Sequence, residues 1–422
     1  MRNQSLQTLG RVVALGAVAF IATTAEDAKA ADDCAGLPRP VVVVGSSAVK
    51  PFMAALGREL ASLSDPVTLI YQSPGSCAGQ NTFVSPGGTG KVSGTGLSIY
   101  DSVGTAGLTC DITSNGGTMA MDIAISDVFA ASCGYDTLPT GIAEFRGPVQ
   151  SMVFAVSSNS SRTHISAEAA YLTLGLGADG GTFWSDPTKV FLRDATSGTQ
   201  QMIAHAVGLP AASLIGTSTN AAGIQGGLQA AITGGQELAD QSIGILGMDV
   251  IMKPSTGSAG DYVPLAYQHF GQTAGYYPNS DLTAFDMQNT RDGHYMIQGP
   301  VHMFTKVDSH GVPTKAEAKL FVDYMTGATA TQVVDLIHEE AILSIVPDCA
   351  MRVRRDEEIG PFMSYMPPQS CECKFLYEAN GKTAPDGCNQ CDPANNDDNG
   401  VNTTDCTDTS RQHCNFGFCE VQ

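Results

Sequence analysis

The sequence predicts an α/β protein finished at its C-terminal end by a small disulfide-rich module. Three observations carry that prediction. Short apolar runs of strand length alternate with amphipathic helical stretches from about residue 40 to residue 340, the pattern of a mostly parallel sheet covered by helices. Hydrophobic residues make up 43% of the 422-residue chain and charged residues 15%, enough for real cores and too apolar for wholesale disorder. Seven of the 12 cysteines crowd into residues 371–422, where large apolar side chains are too few to build a core without staples.

Residues 1–30 read as a secretory signal. Arg2 and Arg11 form a positive start, 12–22 is an apolar run, and Ala28-Lys29-Ala30 supplies the small-x-small cleavage pattern. The run is too short to span a bilayer, and no later stretch reaches about 18 apolar residues. Ala31-Asp32-Asp33 ahead of Cys34 is not the sequence a lipid-anchored cysteine needs. The expected location is therefore the periplasm, the cell surface or the extracellular space, after cleavage behind Ala30.

The next run, Val41-Val42-Val43-Val44, is a buried strand by its continuous apolar character. Gly45-Ser46-Ser47 follows, then a helix starting near Pro51 with Phe52, Leu56, Leu60 and Leu63 on one face. A second strand at 68–71 leads into Gly75-Ser76-Cys77-Ala78-Gly79. The Gly/Ser/Thr-rich stretch 85–118 reads as a surface insertion. Met121, Ile123 and Ile125 alternate with small or polar neighbours and end at Ser126-Asp127. Beyond Gly147-Pro148, strands are expected at 151–156, 189–192, 242–246 and 301–305. A helix opens after Ser197-Gly198-Thr199 and stops at Gly208-Leu209-Pro210, and two more occupy 314–326 and 330–338.

Cysteine use fits an exported chain, in which an even count means disulfides. Cys34, Cys77, Cys110 and Cys133 form an early group with three connectivities open to it, and the other eight start at Cys349. Each group is expected to pair within itself. Lys plus Arg is 22 against 42 for Asp plus Glu, a formal charge of −20, which argues against nucleic acid and anionic lipid as partners.

Three strand-to-helix turns join glycine to hydroxyl residues: Gly45-Ser46-Ser47, Gly75-Ser76 and Ser197-Gly198-Thr199. A helix start offers unpaired N–H groups and the positive end of a dipole, and therefore accepts an anion. Arg193 adds a cation four residues before Ser197, and Asp127 adds a carboxylate. Singly, such residues are usually helix caps and solvated charges; together they describe an oxyanion site.

On these residues the chain resembles the phosphate-binding proteins of ATP-driven phosphate importers. The landmarks are Gly45-Ser46-Ser47, Tyr71 through Gly79, Ser126-Asp127, Trp184-Ser185-Asp186, Arg193-x-x-x-Ser197-Gly198-Thr199 and Ser242-Ile243-Gly244-Ile245-Leu246. The resemblance covers roughly residues 38–346 and implies a two-lobed type-2 periplasmic binding-protein fold with two crossovers, near 146–150 and 298–302. Lobe 1 would take 38–148 and 300–350, lobe 2 149–299, and the cysteine-rich module 371–422. It also implies a site: Ser46, Ser47, Ala48 and Val49 from the first loop, Ser76 from the second, Asp127 accepting the ligand's proton, and Arg193, Ser197, Gly198 and Thr199 from the second lobe. Ala48 departs from the family's usual threonine, so Ser46 or Ser47 would have to replace its hydroxyl.

The function so implied is capture of inorganic phosphate or a related oxyanion by a monomer and delivery to an ABC transporter permease, with no cofactor and no catalysis. The alternative is a surface or extracellular interaction scaffold built around the cysteine-rich tail. A hydrolase is disfavoured because Ser197 and His205 lie two helical turns apart and no Gly-x-Ser-x-Gly elbow accompanies them. The histidines form no ligand pair, so no metal is expected, and Asn395-x-Asp397-x-Asn399-Gly400 lacks the glutamate that would close a calcium loop.

Overall fold

The computed structural model describes residues 32–85, 88–100, 108–253, 258–259, 261–328, 336–397 and 400–421; the expected signal segment lies outside them. The valine run forms the strand Pro40–Gly45 at the centre of the first half of a 12-stranded sheet. It pairs in parallel with Thr68–Gln72 on one side (Val41 opposite Leu69) and Ile123–Ser126 on the other (Val43 opposite Ile123). The second half repeats the arrangement: Val190–Leu192 lies between Thr217–Ser218 and Ile243–Gly247, again in parallel. In each half the first strand is central and the order reverses beside it, which opens a crevice at the strands' carboxyl ends.

Two long strands join the halves. Ile142–Ser157 and Gln298–Lys306 run antiparallel to each other (Thr305 opposite Ala143, Gln298 opposite Ser151). Gln298–Lys306 also pairs with Ile123–Ser126, and Ile142–Ser157 continues into the second half to pair with Ile243–Gly247. These are the two crossovers of the expected type-2 fold, and the segments 146–150 and 298–302 fall inside them. The sheet is nevertheless mixed rather than mostly parallel. Each linking strand meets one parallel core antiparallel, Gln298–Lys306 along Ile123–Ser126 and Ile142–Ser157 along Ile243–Gly247, and the two meet each other antiparallel between the halves.

Of the insertion expected over 85–118, residues 86–87 and 101–107 lie outside the described residues, and the described part forms strands rather than a surface loop alone. Leu97–Ile99 and Thr109–Asp111 extend the sheet edge, and Asp32–Asp33 caps it. Val92, Leu97, Cys110 and Ile112 are buried there, and the Cys34–Cys110 disulfide closes the edge. The helix expected near Pro51 spans Lys50–Ser62 with Phe52, Leu56 and Leu60 buried. The later helices span Gly198–Val207, Ala316–Met325 and Leu336–Ile342; of the expected 330–338 helix, 330–335 lies outside the described residues.

All twelve cysteines pair within their groups: Cys34–Cys110 and Cys77–Cys133, then Cys349–Cys371, Cys373–Cys388, Cys391–Cys414 and Cys406–Cys419. The tail, however, is joined to the body. Cys371, Phe375 and Ala379, on or beside the helix Glu372–Ala379, belong to the same hydrophobic core as the second half of the sheet. Beside them the buried Arg291 guanidinium meets Glu372 at 2.7 Å. A segment with few apolar residues thus borrows a core from its neighbour.

Candidate functional site

The predicted residues sit where the sheet order places them, just beyond the carboxyl ends of strands. Ser46 follows Pro40–Gly45, Asp127 follows Ile123–Ser126, and Arg193 follows Val190–Leu192. Gly45 has φ +149°, and a Cβ there would collide with the Ile125 carbonyl, so only glycine lets these two strand ends close up.

Asp127 is 2% exposed and surrounded by donors. Ser46 Oγ and Gln150 Nε2 (3.2 Å) donate to its Oδ1, and Ser76 Oγ donates to its Oδ2 at 3.1 Å. Ser46 is fixed in turn: its hydroxyl accepts from the Ala48 N–H at 3.0 Å, and its carbonyl accepts from the buried Tyr71 hydroxyl. Burial pushes the Asp127 carboxyl above its usual range, against the pull of these hydrogen bonds and of Arg193.

The two halves meet at this cluster. A Cβ on Gly198 would lie 2.5 Å from Asp127 Oδ2 and on top of Ser76 Oγ, so the start of the Gly198–Val207 helix rests directly on the first half. Cys77 N–H donates to the Thr196 carbonyl at 3.0 Å, and Arg193 Nη2 donates to Ser47 Oγ at 2.7 Å. Arg193 is 6% exposed. Burial lowers its pKa from the usual guanidinium value, while Asp127, Asp194 and Asp249 draw it back.

Two donors in this buried region have no hydrogen-bond partner, Arg193 Nε and Thr199 Oγ1. The loop between them is held by Asp194, whose Oδ1 accepts from Thr196 N–H at 2.9 Å and whose carbonyl accepts from Ser197 N–H at 3.0 Å. Ser197 makes no side-chain cap bond on the helix it precedes. Val49 packs its side chain into the first half's core, leaving only its backbone for any polar role. His205 is exposed while Ser197 is buried, which separates that pair further.

Beside Arg193 opens a cavity of about 550 Å³. Ser47, Ala48 and Arg193 line it together with Lys50, Arg58 and Asp249. The predicted residues are thus brought together in two layers. Ser47, Ala48 and Arg193 face the cavity, whereas Ser46, Ser76, Asp127, Ser197, Gly198 and Thr199 are buried and do not line it. Sequence reasoning missed Gln150, Lys50 and Arg58, which belong to no turn motif. It also missed Asp249, although Asp249 stands just past the strand Ile243–Gly247 as Asp127 does past Ile123–Ser126. A buried carboxyl that burial and Asp127 push up to about 7 makes Asp249 the most perturbed acid lining this cavity.

No protein-family model matches the chain, and no curated protein matches it. Among solved structures, a substrate-binding protein from Clostridium perfringens assigned to phosphate ABC transport, solved with bound phosphate, is similar at 13% identity and TM-score 0.45. That likeness covers 73% of this chain and 99% of the other. An ABC-type phosphate transport receptor from Vibrio cholerae matches at 13% identity and TM-score 0.43, over 73% and 99%. The OxyR regulatory domain from Pseudomonas aeruginosa matches at 8% identity and TM-score 0.36, over 68% and 96%. Function is carried by the residues of a site and not by the fold that holds them.

Proposed function

We infer that this chain is an exported solute-binding protein that holds an oxyanion, inorganic phosphate or a relative of it, between its two lobes and hands it to an ABC importer. The supporting observation is the bridge from Arg193 to Ser47 across the halves, with Arg193 Nε and Thr199 Oγ1 buried and unsatisfied. A buried donor without a partner costs about 1–3 kcal/mol, and an anion accepts from several such donors at once. Charge-assisted bonds of about 1.5–3 kcal/mol each reach the roughly 8 kcal/mol of a micromolar site with only a few contacts.

In this reading lobe 1 comprises 38–148 and 300–350 and lobe 2 comprises 149–299, the protein acts as a monomer, and closure of one lobe on the other signals occupancy to the permease. Asp127 organises the floor by holding Ser46 and Ser76. The six disulfides suit an oxidising compartment, and no helix among the described residues is long and apolar enough to cross a membrane.

Calorimetry on the mature chain tests this. Phosphate should bind at micromolar Kd and sulfate at least tenfold more weakly, and Arg193→Ala should weaken phosphate by a hundredfold or more. Absence of heat with phosphate, or an unaltered Kd in Arg193→Ala, would count against the oxyanion reading.

A further inference from the structure

The run from Arg352 to Glu358 carries three arginines and three acids, a pattern that in sequence reads as solvated surface charge. Two of its side chains are instead buried. Those of Arg355 and Glu358 are 1% and 5% exposed and face each other at 3.5 Å. Arg355 donates through Nη1 to the Met296 carbonyl at 3.1 Å and through Nη2 to the Gln298 carbonyl. Glu358 Oε2 accepts from the Phe129 N–H at 3.3 Å and from the Ser132 hydroxyl at 3.4 Å.

These anchors belong to different halves of the molecule. Ala130, between Phe129 and Ser132, packs in a core with Val42, Val44 and Ile70 of the first half. Tyr295 and Ile297, either side of Met296, pack in the core of the second half. The pair thus forms one line of contacts from the first half, through Glu358 and Arg355, to the second. Beside it, Arg146 on the first crossover donates to Asp356 Oδ1 at 2.8 Å and to the Arg355 carbonyl at 3.3 Å. The segment that carries the pair is itself braced: Val353–Arg354 pairs antiparallel with Met363–Ser364, and the Cys349–Cys371 disulfide closes the hairpin. Both anchors also adjoin the buried carboxylate. Phe129 is two residues past Asp127, and Gln298 precedes Gly299, which stands opposite Gln150, a donor to Asp127.

Desolvation offsets most of the attraction within a buried ion pair, so a pair kept in such a place is better read as fixing geometry than as adding stability. We propose that the hairpin 349–371 is a strut across the two crossovers, with Arg355 and Glu358 as positioning residues that set the angle between the halves and so hold Asp127 and Gln150 in register. Turning one half against the other changes the span from Phe129 to Met296 that the pair bridges. The strut rests on the oxyanion reading only for its effect on phosphate; the setting of the halves is independent of the ligand.

The double variant Arg355→Met/Glu358→Gln in the full mature chain tests this. It removes both charges together, so neither is left buried alone, and a glutamine carbonyl still accepts from the Phe129 N–H. Amides of 142–150 and 298–306 in the unliganded variant should exchange hydrogen tenfold or more faster than in the parent, while those of 41–44 and 243–247 keep parental rates. Phosphate release, followed by stopped flow, should also be at least tenfold faster. Should the double variant not fold, Glu358→Gln alone, which preserves side-chain size, should show the same pattern at threefold or more. Parental exchange at the crossovers overturns the strut, and so does acceleration spread equally over crossovers and cores, which is what a merely structural pair would give. Selective acceleration with unaltered phosphate release overturns the positioning of Asp127 and Gln150. If phosphate does not bind the parent, the oxyanion reading falls and the exchange pattern alone decides the strut.

Discussion

Asp249 shows how a buried carboxyl can weaken the fold that carries it. Its folded carboxyl titrates at about 7, raised by burial and by Asp127, against roughly 3.9 in an unfolded chain. A raised acid binds more protons folded than unfolded between those values, so its contribution is fully present below about pH 4 and is lost as pH rises through 7. Asp249→Asn removes that loss. The unliganded variant should be more stable than the parent at pH 8, by about 1–3 kcal/mol, and the difference should vanish near pH 4. Chemical denaturation at both pH values checks this, and equal stability at pH 8 would mean the carboxyl is not buried as described.

At the scale of elements, function depends on how closely strand ends and helix starts approach. Gly198 is the clearest case. Alanine there would put a Cβ 2.5 Å from Asp127 Oδ2, and the helix Gly198–Val207 would have to back away from the first half. Gly198→Ala should destabilise the fold by about 1–3 kcal/mol and weaken anion binding at least tenfold, read by calorimetry beside thermal unfolding. An alanine variant that binds normally would show that the halves need not touch here. Much of this scale was legible beforehand. The runs at 41–44, 123–125 and 242–246 are apolar because both sheet faces are covered, and Ser76, Asp127 and Arg193 were placed by their position after strands. The long strand Ile142–Ser157 was legible only over its last part. Glu144, Arg146 and Gln150 interrupt the apolar pattern, and their partners His302, Asp356 and Asp127 come from other parts of the chain. Asp249 was hidden for a similar reason: with no hydroxyl residue beside it, only the folded packing shows its carboxyl to be buried. The size of the cavity has no local sequence signal at all.

For the whole molecule, the cysteine-rich tail is a clamp as much as a module. Its first helix shares the main core through Phe375 and supplies Glu372 to the buried Arg291. Removing residues 371–422 would leave that guanidinium without its partner, a loss of about 3–5 kcal/mol, and strip apolar cover as well. Such a truncation should lower the unfolding midpoint by many degrees or prevent secretion. Loss of surface retention in it would therefore say little about a scaffold role, whereas a truncated chain with parental stability would restore the tail as an independent unit. The acidic surface, with a formal charge of −20, is compatible with anion capture because screening confines its field to about 8 Å at physiological salt. The decisive charges are local.

In the proposed function, strand ends from both halves of the sheet serve one anion beside Arg193. Arsenate, a phosphate analogue with an anomalous X-ray signal, locates that ion directly in crystals of the mature chain. The predicted result is a single anomalous peak within hydrogen-bond reach of both Arg193 and Ser47, at the mouth of the Asp249 cavity. A peak elsewhere with that position empty would contradict it.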